Sequence, residues 1–334
     1  MFKITAYGVR KNEVDYFNKL NIYNFELNLV SDNLSTDNVV LAKGSNGVLL
    51  RANNDGSRTI LNQLSDWGIK YVFTRTVGYD HIDLEAAASF GITVARVPSY
   101  SPYSVAELAL NLGLMLSRHT AMATSNTSLK NFQVNSELFA REIHDLTIGI
   151  FGVGRIGLTE ARLYKGLGAT VIGYDVNENE DAKNTLSFVS EDEILRHSDI
   201  LSLHVPHIKG QNDKFVNKSF IDRMKSGSIL INTARAEITN QSDIIEAIKS
   251  GKLDGFGTDV VINERDIFGK KFTATNPLTD FSVKEMLSLY PKVVITPHIG
   301  SNTVEAVSDM IRISYQNFHD ILANGTSENE IGIN

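Results

Sequence analysis

Between the apolar run IGIF and a helical pattern lie Gly152-Val153-Gly154-Arg155-Ile156-Gly157. Glycines at this spacing, between a strand and a helix, leave few folds open. Gly152 permits a tight turn out of the strand. Gly154 lets phosphate groups approach the backbone, and Gly157 lets the helix lie close on the strand. The helix N-terminus adds free N–H groups and the positive end of a dipole, which suit a pyrophosphate. The following run, TVIGYD, ends on Asp175, 18 residues after Gly157. A carboxylate there accepts hydrogen bonds from ribose hydroxyls and repels a 2′-phosphate, which favours NAD over NADP. Such a glycine motif alone is weak; strand, helix and acid in the right order make it specific, with a plain turn as the competing reading.

At 334 residues the chain is long for one domain, so two are expected. With 42% hydrophobic and 21% charged residues it has the composition of a soluble globular protein. The formal net charge of −7, with no long Lys/Arg block, argues against a nucleic-acid partner. Cysteine is absent, which excludes disulfides, thiolate catalysis and Cys-ligated metals. No metal site is expected, and a cytoplasmic location is. No apolar run approaches the roughly 18 residues needed to span a bilayer, so no membrane partner is expected.

The first hundred residues alternate short buried strands (KITAYG, GVLLR, KYVFTR, ITVARV) with helical patterns (EVDYFNKL, RTILNQLSDWG). That alternation predicts a parallel α/β sheet. Pro98 and Pro102 interrupt the chain before an apolar helix expected over about 104–117, with Ser101 or Ser104 as its cap. Its apolar residues run all round, which fits either core packing or a subunit interface. A second series follows, TIGIFG, TVIGYD, ILSLHV, SILINTA, GFGTDV and VVITPH. Two Rossmann-like α/β domains are therefore expected. A last helix over about 303–324 presents Val304, Val307, Met310, Ile311, Phe318, Ile321 and Leu322 on one face and ends at Gly325. Coming after the second series, it is free to return to the first domain.

Three residues of distinct chemistry follow strand-like runs. Arg235 follows SILINTA, Glu264 lies five residues beyond Asp259, and His298 closes VVITPH. Reducing a 2-oxo acid requires a cation for the carboxylate and carbonyl, a proton donor for the developing alkoxide, and a group that steadies the donor. Guanidinium offers a planar fork that matches a carboxylate. Imidazole titrates near neutrality. A carboxylate beside it stabilises imidazolium and orients the ring. Each residue alone has a bland alternative as a surface ion pair or a satisfied polar group. Their shared position at carboxyl ends of parallel strands, where ligands bind in open α/β sheets, favours function. Of the other histidines, His204 in LSLHVP reads as a core residue.

With these residues in place the chain resembles the NAD-dependent D-2-hydroxyacid dehydrogenases, and within them the branch of D-lactate, D-2-hydroxyisocaproate and (R)-2-hydroxyglutarate dehydrogenases. The matching segments are TRTVGYDHID at 74–83, VPSYSP at 97–102, TIGIFGVGRIG at 147–157, LHVP at 203–206, MKSGSILINTAR at 224–235, GKLDGFGTDV at 251–260 and VVITPHIGS at 293–301. They run nearly the length of the chain in the family's order. The resemblance implies a flavodoxin-like substrate-binding domain from residues 1–100 and 300–334, with a dinucleotide-binding domain, 101–299, inserted and a cleft between them. It implies Arg235, Glu264 and His298 as the catalytic triad. It places Gly152, Gly154, Arg155, Ile156, Gly157, Asp175, Val205, Pro206, Asn212, Thr233, Ala234 and Asp259 at NAD, with Asp259 on the nicotinamide carboxamide. It assigns the substrate carboxylate to backbone amides around Val77 and Gly78, with Tyr100 nearby. It also implies a homodimer through the NAD domain, which favours the interface reading of the helix after Pro102.

Two stretches depart from the family pattern. After the Arg, the usual Gly and Asp are Ala236 and Asn240; Asn still suits a helix cap, and Ala matters only if its φ must be positive. After the His, an aromatic pair common in lactate-type relatives is replaced by Ile299-Gly300-Ser301-Asn302, which opens the pocket. The resemblance, which extends to the (R)-2-hydroxyglutarate type in Leu50-Arg51, in RHTA at 118–121 and in the stretch around His298, places Arg51 at the far side of the substrate pocket, where it can pair with a distal carboxylate, an exposed strand-end Arg being the bland alternative. The expected substrate is 2-oxoglutarate or another 2-oxo diacid, with D-lactate or D-2-hydroxyisocaproate dehydrogenase as the alternative. An NAD-sensing binding protein on the same fold, or a phosphoglycerate-type enzyme, is disfavoured by the lack of appended segments.

Overall fold

The structure, a computed structural model, describes residues 1–332 and divides into two units. One comprises Met1–Ser101 with the chain from Asn302 onward, the other Pro102–Ser301. Among the described residues no helix is long and apolar enough to cross a membrane.

The first unit holds five parallel strands: β1 (Lys3–Ala6), β2 (Glu26–Leu29), β3 (Gly47–Leu50), β4 (Tyr71–Thr74) and β5 (Thr93–Ala95). Their order is β2-β1-β3-β4-β5, the flavodoxin-like arrangement. Strand β2, unforeseen in the sequence, is an edge strand whose ELNL is only half-buried and carries no β-branched residue. One face of the sheet packs Val48, Leu50 and Val72 against Ile60, Leu61 and Leu64 of the helix Arg58–Asp66. The other packs Ile4, Ala6, Leu49 and Phe73 against the helix Val304–Asn324. There Phe73 stacks on Phe318 with ring centroids 4.2 Å apart. Thr303 caps that helix by accepting the Ala306 N–H, and Gly325 ends it in a left-handed conformation. The buried face includes Ala306, Ser314, Tyr315 and Asn317, whereas Val304 and Leu322, expected on it, are exposed.

The second unit holds seven parallel strands: β6 (Thr147–Phe151), β7 (Thr170–Tyr174), β8 (Ser187–Phe188), β9 (Ile200–Leu203), β10 (Ser228–Asn232), β11 (Leu253–Thr258) and β12 (Val293–Ile295). The order β12-β11-β10-β9-β6-β7-β8 reverses direction between β6 and β9, which makes their carboxyl ends the switch point of a doubly wound sheet. The apolar helix begins at Pro102 rather than 104, with proline in the first helical position, where its missing N–H costs nothing. Ser104 therefore lies inside the first turn, and its hydroxyl donates to the Gly300 carbonyl. Ala109, Leu112 and Leu116 face the core around Ile148, Ile229 and Ile231, so this face of the helix is core. The exposed large apolar residues of this unit include Leu129, Phe132, Val134 and Phe139, farther along the chain.

Candidate active site

The glycine turn behaves as its spacing predicts. Gly152 adopts φ +98°, and a Cβ there would stand 2.8 Å from the His204 carbonyl. A Cβ on Gly157 would lie 2.1 Å from the Gly152 oxygen, so any side chain would push the helix Arg155–Gly166 off the turn. A Cβ on Gly154 would meet nothing within 4 Å, and Arg155 beside it is exposed. The helix N-terminus is thus open to a phosphate, as the motif requires. Asp175, one residue beyond β7, accepts the Val153 N–H at 2.7 Å and the Asn177 N–H at 2.9 Å. These bonds fix the carboxylate at the edge of the glycine turn.

Across the switch point, His204 follows β9 and leads into Val205 and Pro206. Its side chain is buried and pairs with Glu160, itself fully buried in the glycine-turn helix. This matches the core reading of His204. Asn212 accepts the Ile208 N–H and donates to the Pro206 carbonyl, both at 2.7 Å, so it braces the loop that holds Val205 and Pro206. The Thr233 hydroxyl is buried beside Ala234 and has no hydrogen-bond partner among the described residues. An open glycine cradle, a fixed acid and an orphaned hydroxyl on neighbouring strand ends fit a dinucleotide.

Arg235, Glu264 and His298 leave the ends of β10, β11 and β12, three adjacent strands running the same way. Asn232, buried at the end of β10, holds the Arg235 turn, accepting from the Ala234 N–H at 3.0 Å and donating to the Arg235 carbonyl at 2.9 Å. The Arg235 guanidinium donates to the Ala234 carbonyl at 2.8 Å and is paired with no carboxylate among the described residues. Ala236 opens a short 3₁₀ turn and is absent from the positive-φ residues, so the family's glycine is not needed for conformational reasons. Asn240 occupies the N-cap position of the helix Gln241–Ser250, yet its side chain makes no capping bond.

His298 Nδ1 lies 2.8 Å from Glu264 Oε1, with both side chains partly exposed. The His298 backbone sits at φ +52°, an uncommon conformation for a non-glycine residue, held here by its N–H to the Asp259 carbonyl. Asp259 is buried, and its carboxylate accepts from Thr296 at 2.6 Å and from the Ile299 and Gly300 N–H groups at 2.9 and 2.8 Å. Burial pushes its pKa up despite these bonds and the nearby His298. Its contacts brace the loop carrying His298, a role its place in the sequence did not disclose.

In the first unit, the loop after β4 carries Val77 and Gly78. Their carbonyls accept from Arg96 at 3.1 Å and Thr76 at 2.7 Å, while among the described residues neither amide N–H has an acceptor. Tyr100 is half-buried against the core under the helix Val304–Asn324. Arg51 follows β3, half-buried and without an ion-pair partner among the described residues. Burial, then repulsion from Arg10 and Arg75, lowers its pKa to about 10. Arg75 is spoken for. Though 1% exposed, it pairs with the buried Glu13 at 2.8 Å and donates to the Gly8 carbonyl at 3.0 Å.

Comparison with known proteins identifies the family. Residues 110–300 match the family model of the D-isomer specific 2-hydroxyacid dehydrogenase NAD-binding domain. The chain is 38% identical over 330 residues to an aromatic 2-oxoacid reductase of Clostridium sporogenes, covering 98% of each chain. It is 32% identical over 334 residues to a D-lactate dehydrogenase of Lactiplantibacillus plantarum, covering 98% of this chain and 99% of that one. A Lactobacillus jensenii D-lactate dehydrogenase solved with NAD+ superposes with a TM-score of 0.84 at 31% identity, over 100% of both chains. The protein belongs to the D-isomer-specific 2-hydroxyacid dehydrogenases, NAD-dependent oxidoreductases of 2-hydroxy acids.

Proposed function

We propose that this chain interconverts a 2-oxo acid and its (R)-2-hydroxy acid through Arg235, Glu264 and His298. The observation that carries this is the 2.8 Å contact between His298 Nδ1 and Glu264 on neighbouring strand ends. When bound, NADH supplies the hydride to the carbonyl carbon. Arg235, free of any carboxylate partner among the described residues, holds the substrate carboxylate and polarises the carbonyl. His298 gives its proton to the alkoxide oxygen, and Glu264 steadies the imidazolium before transfer. The unengaged amides of Val77 and Gly78 serve as further donors for the carboxylate, and Tyr100 as a further substrate-binding side chain. The glycine turn, Arg155, Ile156, Asp175, Val205, Pro206, Asn212, Thr233 and Ala234 serve the cofactor, and Asp259 serves its carboxamide.

For the rest of the substrate we propose a second carboxylate, received by Arg51. Three arginines gather there around one glutamate, Glu13, which Arg75 already occupies. A half-buried guanidinium repelled by two others gains from an anion. The relatives from Clostridium sporogenes favour a second reading, an aromatic 2-oxo acid. Steady-state assays with NADH and 2-oxoglutarate, phenylpyruvate or pyruvate decide between them. Arg51→Leu should raise the KM for 2-oxoglutarate about tenfold or more, the worth of a charge-assisted hydrogen bond, and leave pyruvate unaffected. A native enzyme that reduces phenylpyruvate and ignores 2-oxoglutarate rejects the diacid. We also propose that a second copy of this chain covers Leu129, Phe132, Val134 and Phe139, an apolar group too exposed for an isolated subunit.

A further inference from the structure

The loop that delivers Glu264 leaves β11 and turns back through residues 259–263. Two side chains outside it, those of Gln241 and Asp280, hold it. Gln241, the first residue of its helix and 8% exposed, accepts the Ile262 N–H on Oε1 at 2.6 Å. Its Nε2 donates to Ser282 Oγ at 2.9 Å, and the amide also lies against the Met286 sulfur at 3.9 Å. Asn263 adopts φ +60° and donates to Asp280 Oδ2 at 3.3 Å. Asp280 is itself fixed, since it caps the helix Phe281–Ser288 by accepting the Val283 N–H at 2.9 Å. The two anchors fall on the two residues immediately before Glu264.

Core filling does not explain Gln241. A buried primary amide is costly unless its polar atoms are used, and an apolar side chain would occupy the same space against Met286. Here the carbonyl is aimed at one loop amide, two residues from a carboxylate that must reach an imidazole. We propose that Gln241, seconded by Asn263, is a positioning residue that sets the reach of Glu264 to His298. The proposal rests on the reading of His298 as proton donor and Glu264 as its partner. A hydrogen bond weakens steeply as distance and angle depart from the optimum. Glu264 is partly exposed, so a loop that relaxes lets water compete for its carboxylate. Two carboxylates face the imidazole, Glu264 and Asp259. Asp259 is held by hydrogen bonds from Thr296, Ile299 and Gly300, whereas Gln241 bonds to Ile262 and Ser282, so Glu264 is the one that should respond.

The test is kcat for 2-oxo acid reduction against pH at saturating NADH, with four proteins: native, Gln241→Met, Glu264→Gln and the double variant. Reduction needs imidazolium, so activity falls as pH rises, and a carboxylate partner delays that fall. Gln241→Met keeps the length and apolar fit of the side chain but removes the acceptor. It should lower kcat about ten- to hundredfold, the cost of a misplacement near one ångström. It should also move the alkaline limb to lower pH, in the same direction as Glu264→Gln, with the KM for NADH unchanged. In the Glu264→Gln background the same change should have little further effect. Ser282→Ala, which leaves the Ile262 bond in place, should retain the native profile. If Gln241→Met does not fold, Asn263→Ala at the exposed second anchor is read the same way. An unmoved limb in the anchor variant, or an equal loss in both backgrounds, overturns the proposal. An unmoved limb in Glu264→Gln instead removes the donor–partner reading beneath it.

Discussion

Gly113 and Tyr164 meet where the helix Pro102–Ser117 crosses the glycine-turn helix, and substituting them should show non-additive effects. A Cβ on Gly113 would stand 2.1 Å from the Tyr164 hydroxyl oxygen, more than an ångström inside contact distance. Tyr164 is fully buried and cannot swing away. Overpacking of this kind costs about 1–3 kcal/mol, partly offset by about 1 kcal/mol that alanine gains over glycine in a helix. Gly113→Ala alone should therefore destabilise by up to about 2 kcal/mol. The hydroxyl that causes the clash has no hydrogen-bond partner among the described residues, and burial with the nearby Glu160 pushes its pKa up, so it stays protonated. Tyr164→Phe removes a desolvated, unpaired group and should be neutral or stabilising by about 1 kcal/mol. With that oxygen gone, the nearest atoms to the new methyl are the ring carbon at 3.5 Å and an Ile200 methyl at 3.6 Å, ordinary contacts. In the Tyr164→Phe background Gly113→Ala should stabilise by about 1 kcal/mol, reversing its sign. For a unit of this size each 1 kcal/mol moves the melting temperature by about 2–4 °C, within reach of calorimetry. Effects that add to within about 0.5 kcal/mol would refute the reasoning.

His298→Ala should cut turnover about 100- to 10,000-fold while NADH affinity, measured by fluorescence titration, stays near native. Near-normal turnover would strip His298 of its role as donor. Replacing Phe132 and Phe139 together with Ser should convert a dimer to a monomer by light scattering after size exclusion; a native protein that already runs as a monomer rejects the proposed second copy.

The parts legible in the sequence were those whose chemistry is local. Gly157 is required by the Gly152 oxygen five residues back and Gly152 by its own positive φ, and a strand-end Arg, Glu or His announces itself by type and place. Strands β2 and β8 were missed because they are half-exposed edge strands without the β-branched residues that mark the other two edges, β5 and β12. Nothing in the sequence marks Arg75, and only the fold reveals that Glu13, far away in sequence, draws it into the core. Asn232 and Gln241 were silent for the same reason: their meaning lies in which distant backbone group they meet. Ala236 was undecidable from sequence, because the question was its φ.

The return of the helix Val304–Asn324 has a consequence for biosynthesis. Until that helix leaves the ribosome, one side of the sheet bearing Leu49 and Phe73 is covered only in part, by the short helix Val14–Lys19 through Phe17. About 200 residues of the second unit are made in the interval, which at about 5–20 residues per second lasts on the order of 10–40 s. The inserted unit can complete its own core during that time, whereas the first sheet waits as an apolar surface exposed to chaperones and to neighbouring chains. Nascent-chain quality control should therefore bear on the segment made first, and the order of synthesis is the reverse of the order of completion.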